Sequence, residues 1–314
     1  MIAKTLAKLE GVAPGTYLGP ESDCYDEDEI ATLAAALRRL LYSPSELRRR
    51  LQAHGVNVVP ANFYSEVPLI DDLQRFPPPT YDRVFEADVL AAWLRDLTPL
   101  TADFDAPLQA GENEPVYRWK CQFSYSDAPA YHAFVRKVRP RTIVEVGSGY
   151  STLIARAAGD GRIVCVEPLP RPFLRELAGV EVVQEPVQKI EPDYFNDTLS
   201  DGDILFIDST HTVKHGSDCL HLYLKVLPEI RRDIYVHAHD IHLPGTMPLY
   251  YARDLQIYWT EQYLLYAYLL ENPRTEVLFS SSYSHQRDRD ALTAFMHGRH
   301  PPGGGSLWFR QRPR

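Results

Sequence analysis

The stretch TIVEVGSGYSTLIARAAGDGRIVCVEP, residues 142–168, decides how the rest of the chain is read. Thr142 to Val146 is an apolar run broken only by Glu145, and Gly147 and Gly149 follow at once. Tyr150 to Gly159 then carries apolar residues at helical spacing, and a second apolar run from Ile163 stops at Glu167. Strand, glycine turn, helix and strand in that order form a βαβ unit. Glycine at the strand-to-helix turn lets the backbone bend tightly and a ligand approach the main chain. An acid ending the second strand is placed to accept hydrogen bonds from ribose hydroxyls, so the unit points to an adenosine-containing cofactor. A dinucleotide fingerprint would have a third small residue where this chain has Thr152, and there the sequence departs.

Beyond this unit the same alternation continues. Apolar runs at Val180–Val183, Asp203–Asp208 and Ile234–Asp240 alternate with helical segments, among them RPFLRELAG, DYFNDTL and GSDCLHLYLKVLPEI. The runs are too uniformly apolar for half-exposed antiparallel strands and suit a parallel sheet covered on both faces. The aromatic helix YWTEQYLLYAYLLEN and two late runs, TEVLFS and SLWFR, come last. The expected fold is α/β: a doubly wound, mostly parallel seven-stranded sheet with a late antiparallel hairpin.

Ahead of it the sequence reads as a helical extension. Asp28–Leu41 has helical spacing, and SPSELRRRLQAHG predicts a helix capped by Ser43, with Pro44 in its first turn, Glu46 closing a capping box and Gly55 at its end. Proline-punctuated loops follow, then a helical pattern over Val84–Leu97. The expected division is residues 1–126, a helical and loop region acting as a substrate lid, and 127–314, the cofactor domain. HPPGGGS near the end reads as a loop, and no internal repeat is visible.

Composition removes several function classes. With 314 residues, 45% hydrophobic, the chain can bury a full core. A formal charge of -9 without a basic block argues against nucleic acid as the main ligand. Cys24, Cys121, Cys165 and Cys219 are far apart, which gives neither a zinc knuckle nor a disulfide framework. No run approaches the roughly 20 apolar residues that span a bilayer, and MIAKTLAKLEGVAPGTYLG lacks the core of a secretory signal. These features predict a cytoplasmic protein that acts on a small molecule away from membranes, and they are compatible with a homo-oligomer.

EVGSGYS, with an acid two positions before a glycine-rich loop and a second acid at Glu167, resembles the first motifs of class I S-adenosylmethionine-dependent methyltransferases. Ser151 stands where their last glycine falls. The resemblance covers roughly Asp127 to the C-terminus. It implies that Glu145 lies near the methionine end of the cofactor, that Gly147, Ser148, Gly149 and Ser151 lie beneath it, and that Glu167 meets the ribose. It also implies direct transfer of a methyl group to an oxygen or nitrogen nucleophile. The alternatives are a non-catalytic cofactor-binding or assembly protein and a nicotinamide-dependent oxidoreductase, the latter disfavoured by Thr152 and Glu145.

Two later strand ends carry the remaining chemistry. Asp208 ends the fourth run with His211 just after it, and the fifth ends in His239-Asp240. Buried parallel strands should read Val, Ile or Leu, so these polar residues call for a reason. One is a divalent metal held by Asp208, His239 and Asp240, with His211 as a further ligand or as general base. The other is that the groups satisfy one another at the pocket rim. Some antibiotic- and sugar-modifying O-methyltransferases resembling this chain hold magnesium with an aspartate after the fourth strand and a Glu-Asp pair after the fifth. His-Asp here shifts the expectation toward iron, manganese or zinc. Asp208 and Asp240 would orient His211 or hold the metal. His237, His215 and His221 read as structural. Trp259, Glu261 and Tyr263 follow the fifth strand closely enough to contact substrate. NFYSEVPLID and WKCQFSYSDAP resemble segments ahead of the cofactor domain in some bacterial methyltransferases, which adds Asn62, Tyr64 and Phe123 as substrate candidates.

Overall fold

A computed structural model of the chain describes residues 26–75, 78–106, 123 and 125–314. Two compact units divide these residues. The smaller comprises 26–75 with 248–258, and the larger holds the rest. Ala87–Leu97, which the division at 126/127 leaves with the extension, therefore belongs to the sheet unit.

The smaller unit contains α1 (Glu27–Arg38) and α2 (Ser45–Ala53). Asp26 and Glu29 form a reciprocal capping box at the start of α1. Pro44, not Ser43, occupies the N-cap of α2, and no side chain caps that helix. Ser43 is drawn into the preceding turn, where its N–H donates to the Leu40 carbonyl beside Tyr42 at φ +58°. Gly55, at φ +74°, does end the helix.

In the larger unit α3 (Ala87–Leu97) and α4 (Asp127–Val138) precede β1 (Thr142–Val146). Then come α5 (Tyr150–Ala158), β2 (Arg162–Val166), β3 (Val180–Val183), α6 (Pro192–Thr198), β4 (Ile204–Ile207), α7 (Asp218–His221) and β5 (Ile234–Ala238). Returning to the smaller unit, α8 is Leu249–Arg253, and the sheet unit resumes with α9 (Glu261–Leu269), β6 (Thr275–Ser280), α10 (Ser281–Arg287), α11 (Arg289–Phe295) and β7 (Leu307–Gln311). The seven strands form one sheet in the order β3-β2-β1-β4-β5-β7-β6, parallel through β5 and antiparallel at β7 and β6. RPFLRELAG makes only a 3-10 turn at Pro172–Glu176, with Pro172 in its first turn and Leu177 already extended. GSDCLHLYLKVLPEI runs through a π-helical turn, Leu222–Val226, before Pro228 ends it.

Each strand alternates its side chains between two cores. Val144, Val146, Leu205 and Ile207 face the core that holds Tyr223 and Leu265. Ile143 and Phe206 face the other, beneath α4 and α5. On that second face the register aligns Cys165, Glu145, Phe206, His237 and Trp308 in a row. Tyr131 of α4 covers the row, with its ring stacked on Phe206 at 4.8 Å and its hydroxyl donating to Glu145 at 2.9 Å. His237 lies flat on Trp308, centroids 4.4 Å apart, and bonds Ser306 Oγ, as a structural histidine should. The Nε2 of His221 likewise meets a backbone group, the Ile190 carbonyl, at 2.8 Å. Cys165 and Cys219 are buried free thiols; Cys24, Cys121 and the leading 19 residues lie outside the described residues. No helix among the described residues is long and apolar enough to cross a membrane.

Candidate active site

One register step past the strands, backbone hydrogen bonds continue the sheet. Gly147 N–H reaches the Val166 carbonyl, Glu167 that of Val183, Asp208 that of Val146, and His239 that of Ile207. Gly147, Glu167, Asp208 and His239 therefore form a row at the carboxyl edge of the sheet, where α/β folds bind ligands. Gly147 sits at φ +82°, and a Cβ there would come within 2.1 Å of the Asp208 carbonyl oxygen, so only glycine lets these loops touch.

Above this row lies a cleft of about 210 Å³, lined by Phe123, Ser148–Ser151, Arg171, Asp208, His211, His239, Asp240 and Trp259. Of the expected cofactor contacts, Ser148, Gly149 and Ser151 line it directly. Glu145 does not. Its carboxylate is fully buried behind the glycine turn, where the Tyr131 and Thr152 hydroxyls and the Cys165 thiol donate to it. Burial pushes its pKa up to about 7 against those hydrogen bonds. The Thr152 hydroxyl also accepts from the Gly149 N–H at 3.1 Å, tying the acid to the turn, which explains threonine at the dinucleotide position. Glu167 accepts from the Ser148 N–H at 3.2 Å and the Leu169 N–H at 2.9 Å, so it straps the first loop to the second.

The polar groups of β4 and β5 form a chain of alternating charge. His239 Nε2 lies 3.4 Å from Asp127 Oδ2, and its Nδ1 lies 3.3 Å from Asp208 Oδ1. His211 Nε2 lies 3.3 Å from that same Asp208 oxygen and 3.5 Å from Asp240 Oδ2. On its other side, His211 Nδ1 meets Glu261 Oε2 at 2.7 Å. Glu261 in turn accepts from the Tyr223 hydroxyl at 2.7 Å and the Ser209 hydroxyl at 2.9 Å. Burial opposes charge on both histidines, yet their carboxylate partners win. His211 is raised to about 10, and His239 well above the imidazole range. Burial also works against the Asp208 carboxylate, but His239 and His211 hold it ionised far below its usual range. Asp240 is different: burial raises its pKa despite both histidines.

Asp208, His211 and Asp240 offer ligand atoms that all lie within 4.8 Å of one another. His239, expected as a ligand, is not in that group; Asp127 faces its Nε2 and Asp208 its Nδ1. His211 and Asp240 both adopt left-handed backbone, at φ +58° and +55°. Such conformations cost energy in non-glycine residues and cluster at functional sites.

Glu261 is a correction to the expected substrate contacts. It is buried against His211 and cannot reach a ligand. Tyr263, two residues further along α9, turns away from the cleft onto Tyr81, centroids 5.6 Å apart. Trp259 and Phe123 do line the cleft, 4.4 Å from the His211 ring and 4.5 Å from the His239 ring respectively. Asn62 and Tyr64 fall in the smaller unit, where Asn62 accepts from the Tyr64 N–H at 2.9 Å in a local turn. Asp127 carries no local sequence signal, since its partners His239, Ser281 and Gly305 lie far along the chain.

Residues 144–241, which span this row, match the model of the Methyltransferase domain family. An uncharacterized protein of Archaeoglobus fulgidus is 30% identical over 157 residues, covering 43% of this chain and 71% of that protein. The chain belongs to the class I S-adenosylmethionine-dependent methyltransferases. It is similar in structure to an O-methyltransferase from Bacillus cereus in complex with S-adenosylhomocysteine, at 15% identity, 74% of this chain, 94% of the other and a TM-score of 0.39. The O-methyltransferase TomG from Streptomyces achromogenes, involved in tomaymycin synthesis, shares 15% identity over 74% of this methyltransferase and 93% of its own chain, at a TM-score of 0.38. A methyltransferase from Geobacter sulfurreducens shares 16% over 73% and 92%, at a TM-score of 0.35.

Proposed function

We propose that this methyltransferase moves its methyl group to a hydroxyl oxygen or an amine nitrogen of a small molecule, with a divalent transition metal held by Asp208, His211 and Asp240. The observation that carries the reading is the convergence of these three residues in one cleft with the glycine turn.

The chain's own residues fit the cofactor. Gly149 sits at φ +155°, a backbone conformation that side chains other than glycine rarely adopt, so the turn into α5 depends on glycine. Glu167 spends two acceptor positions on backbone N–H groups and keeps others for ribose hydroxyls. When bound, S-adenosylmethionine supplies a methyl group activated on a sulfonium, leaving the protein to align the acceptor and remove one proton.

Two carboxylates and one imidazole suit manganese, iron or zinc better than magnesium, which prefers oxygen alone. Such an ion would supply Lewis acidity that lowers the acceptor's pKa. His211, expected as the general base, is protonated at neutral pH without metal and cannot accept a proton there. Asp240 lines the cleft beside it and would serve, with Asp208, as a carboxylate ligand of the ion. Phe123 and Trp259 give the cleft aromatic walls suited to a small acceptor.

Incubation with methyl-labelled cofactor and a panel of phenols, diols, sugars and amines tests the reading. The expected result is transfer that chelator abolishes and manganese restores. Full activity in chelator removes the metal, and binding of NAD in place of S-adenosylhomocysteine removes the whole assignment.

A further inference from the structure

Arg171 lines the cleft with its charge unspent. Its guanidinium carbon stands 4.9 Å from the Tyr150 ring centroid, and among the described residues it has no ion pair or hydrogen bond. Its arginine neighbours are tied down: Arg156 to the Gly159 and Gly161 carbonyls, Arg162 to Glu181, Arg175 to Gln184. The nearest acid along the chain, Glu167, is engaged by the Ser148 and Leu169 N–H groups. The other charged groups lining the cleft, Asp208, His211, His239 and Asp240, pair with one another. A guanidinium held over an aromatic face presents a fork of donors that matches a carboxylate.

Resting on the cofactor assignment above, we propose that Arg171 receives the α-carboxylate at the amino-acid end of the cofactor. The placement separates this from an anionic acceptor. Arg171 belongs to the loop after β2 and stands beside Gly149 and the first residue of α5. That is the cofactor's side of the cleft. The acceptor's side is built from the loops after β4 and β5, with Asp208, His211, Asp240 and Trp259. A ligand carboxylate above Gly149 meets Arg171 as the only unpaired cation among the described lining residues. The Tyr150 ring beneath fixes the plane of the fork before the ligand arrives, which limits the ordering cost of binding.

Calorimetry with two ligands tests this. S-adenosylhomocysteine and 5′-methylthioadenosine share the nucleoside and the thioether, and only the first carries the amino-acid end. Arg171→Gln should weaken S-adenosylhomocysteine binding by roughly ten-fold or more, as expected for loss of a charged hydrogen bond. Its affinity for 5′-methylthioadenosine should stay within two-fold, and Arg171→Lys should lie between Arg171→Gln and the parent. Equal weakening of both ligands places the guanidinium on the nucleoside and overturns the proposal. Unchanged affinity for both ligands, with a raised KM for acceptor, places it on the substrate and overturns the proposal as well. If the parent protein binds neither nucleoside, the cofactor assignment itself has failed, and the Arg171 proposal with it.

Discussion

Glu261 holds His211 by its Nδ1 at 2.7 Å, fifty residues along the chain, and thereby aims the Nε2 at Asp208 and Asp240. Carboxylate partners of this kind fix both the orientation and the tautomer of a working imidazole. Glu261→Gln keeps the size and the hydrogen-bonding capacity but removes the charge. Turnover should fall roughly ten-fold or more, in the range seen when such outer partners of metal sites are changed. The KM for cofactor should stay unchanged, because Glu261 does not line the cleft. A variant with full turnover would show that the pair serves only packing.

Thr152 joins Glu145 to the Gly149 N–H through one hydroxyl. Thr152→Val preserves the shape and leaves a buried carboxyl and a buried N–H each short of a partner. The expected cost is about 1–3 kcal/mol of stability. Affinity for S-adenosylhomocysteine should fall as well, because the glycine turn loses its anchor. Denaturant unfolding and calorimetry on the same variant read both effects, and an unchanged midpoint would mean that water replaces the hydroxyl.

Strand positions and strand ends were legible because burial on both faces writes itself as short, uniformly apolar runs. Thr142–Val146, Val180–Val183 and Thr275–Ser280 fall where the pattern puts them. Gly147, Glu167 and Asp208 were legible for the same reason: each follows directly on such a run. Partnership across the fold was not. Nothing near Asp127 announces His239, and Glu261 looks like a substrate contact until α9 is seen to press it onto His211. The helix expected at RPFLRELAG is a single 3-10 turn, because the chain turns extended at Leu177 and the apolar spacing does not register where a helix stops.

The pH dependence of stability follows from His211. Its folded pKa of about 10 exceeds the ordinary value of 6.5, so its stabilising contribution is complete below pH 6.5 and is lost as pH rises through 10. His239 acts in the same direction. Glu145, raised from 4.5 to about 7, destabilises progressively between those two values and no further above them. Asp208, lowered, stabilises above the ordinary carboxylate range. In chelator the Tm should therefore decline between pH 7 and 10, by several degrees at an expected 2–4 °C for each ~1 kcal/mol lost. His211→Gln should flatten that decline. A level Tm across this range, or an equal slope in the variant, would falsify the assignment of charge to His211.

Metal stoichiometry separates the ligand set expected from sequence from the one the geometry favours. Elemental analysis of protein equilibrated with manganese should give close to one ion per chain. Asp240→Asn and His211→Gln should each abolish binding, because each removes one of three convergent ligands. His239→Gln should retain the ion, since that imidazole bridges Asp127 and Asp208 as a cation, and should lower the Tm instead. Loss of the ion in His239→Gln, with retention in Asp240→Asn, would return His239 to the ligand set. A proton count adds an independent check. His211 carries a proton at pH 7, and a metal at Nε2 must displace it. Titration in buffers of different ionisation enthalpy should then report about one proton released per ion bound, and none in a protein whose ion sits elsewhere. Affinity for S-adenosylhomocysteine should be alike in the metal-loaded and metal-free forms, because Glu167 and the glycine turn stand outside the ligand group.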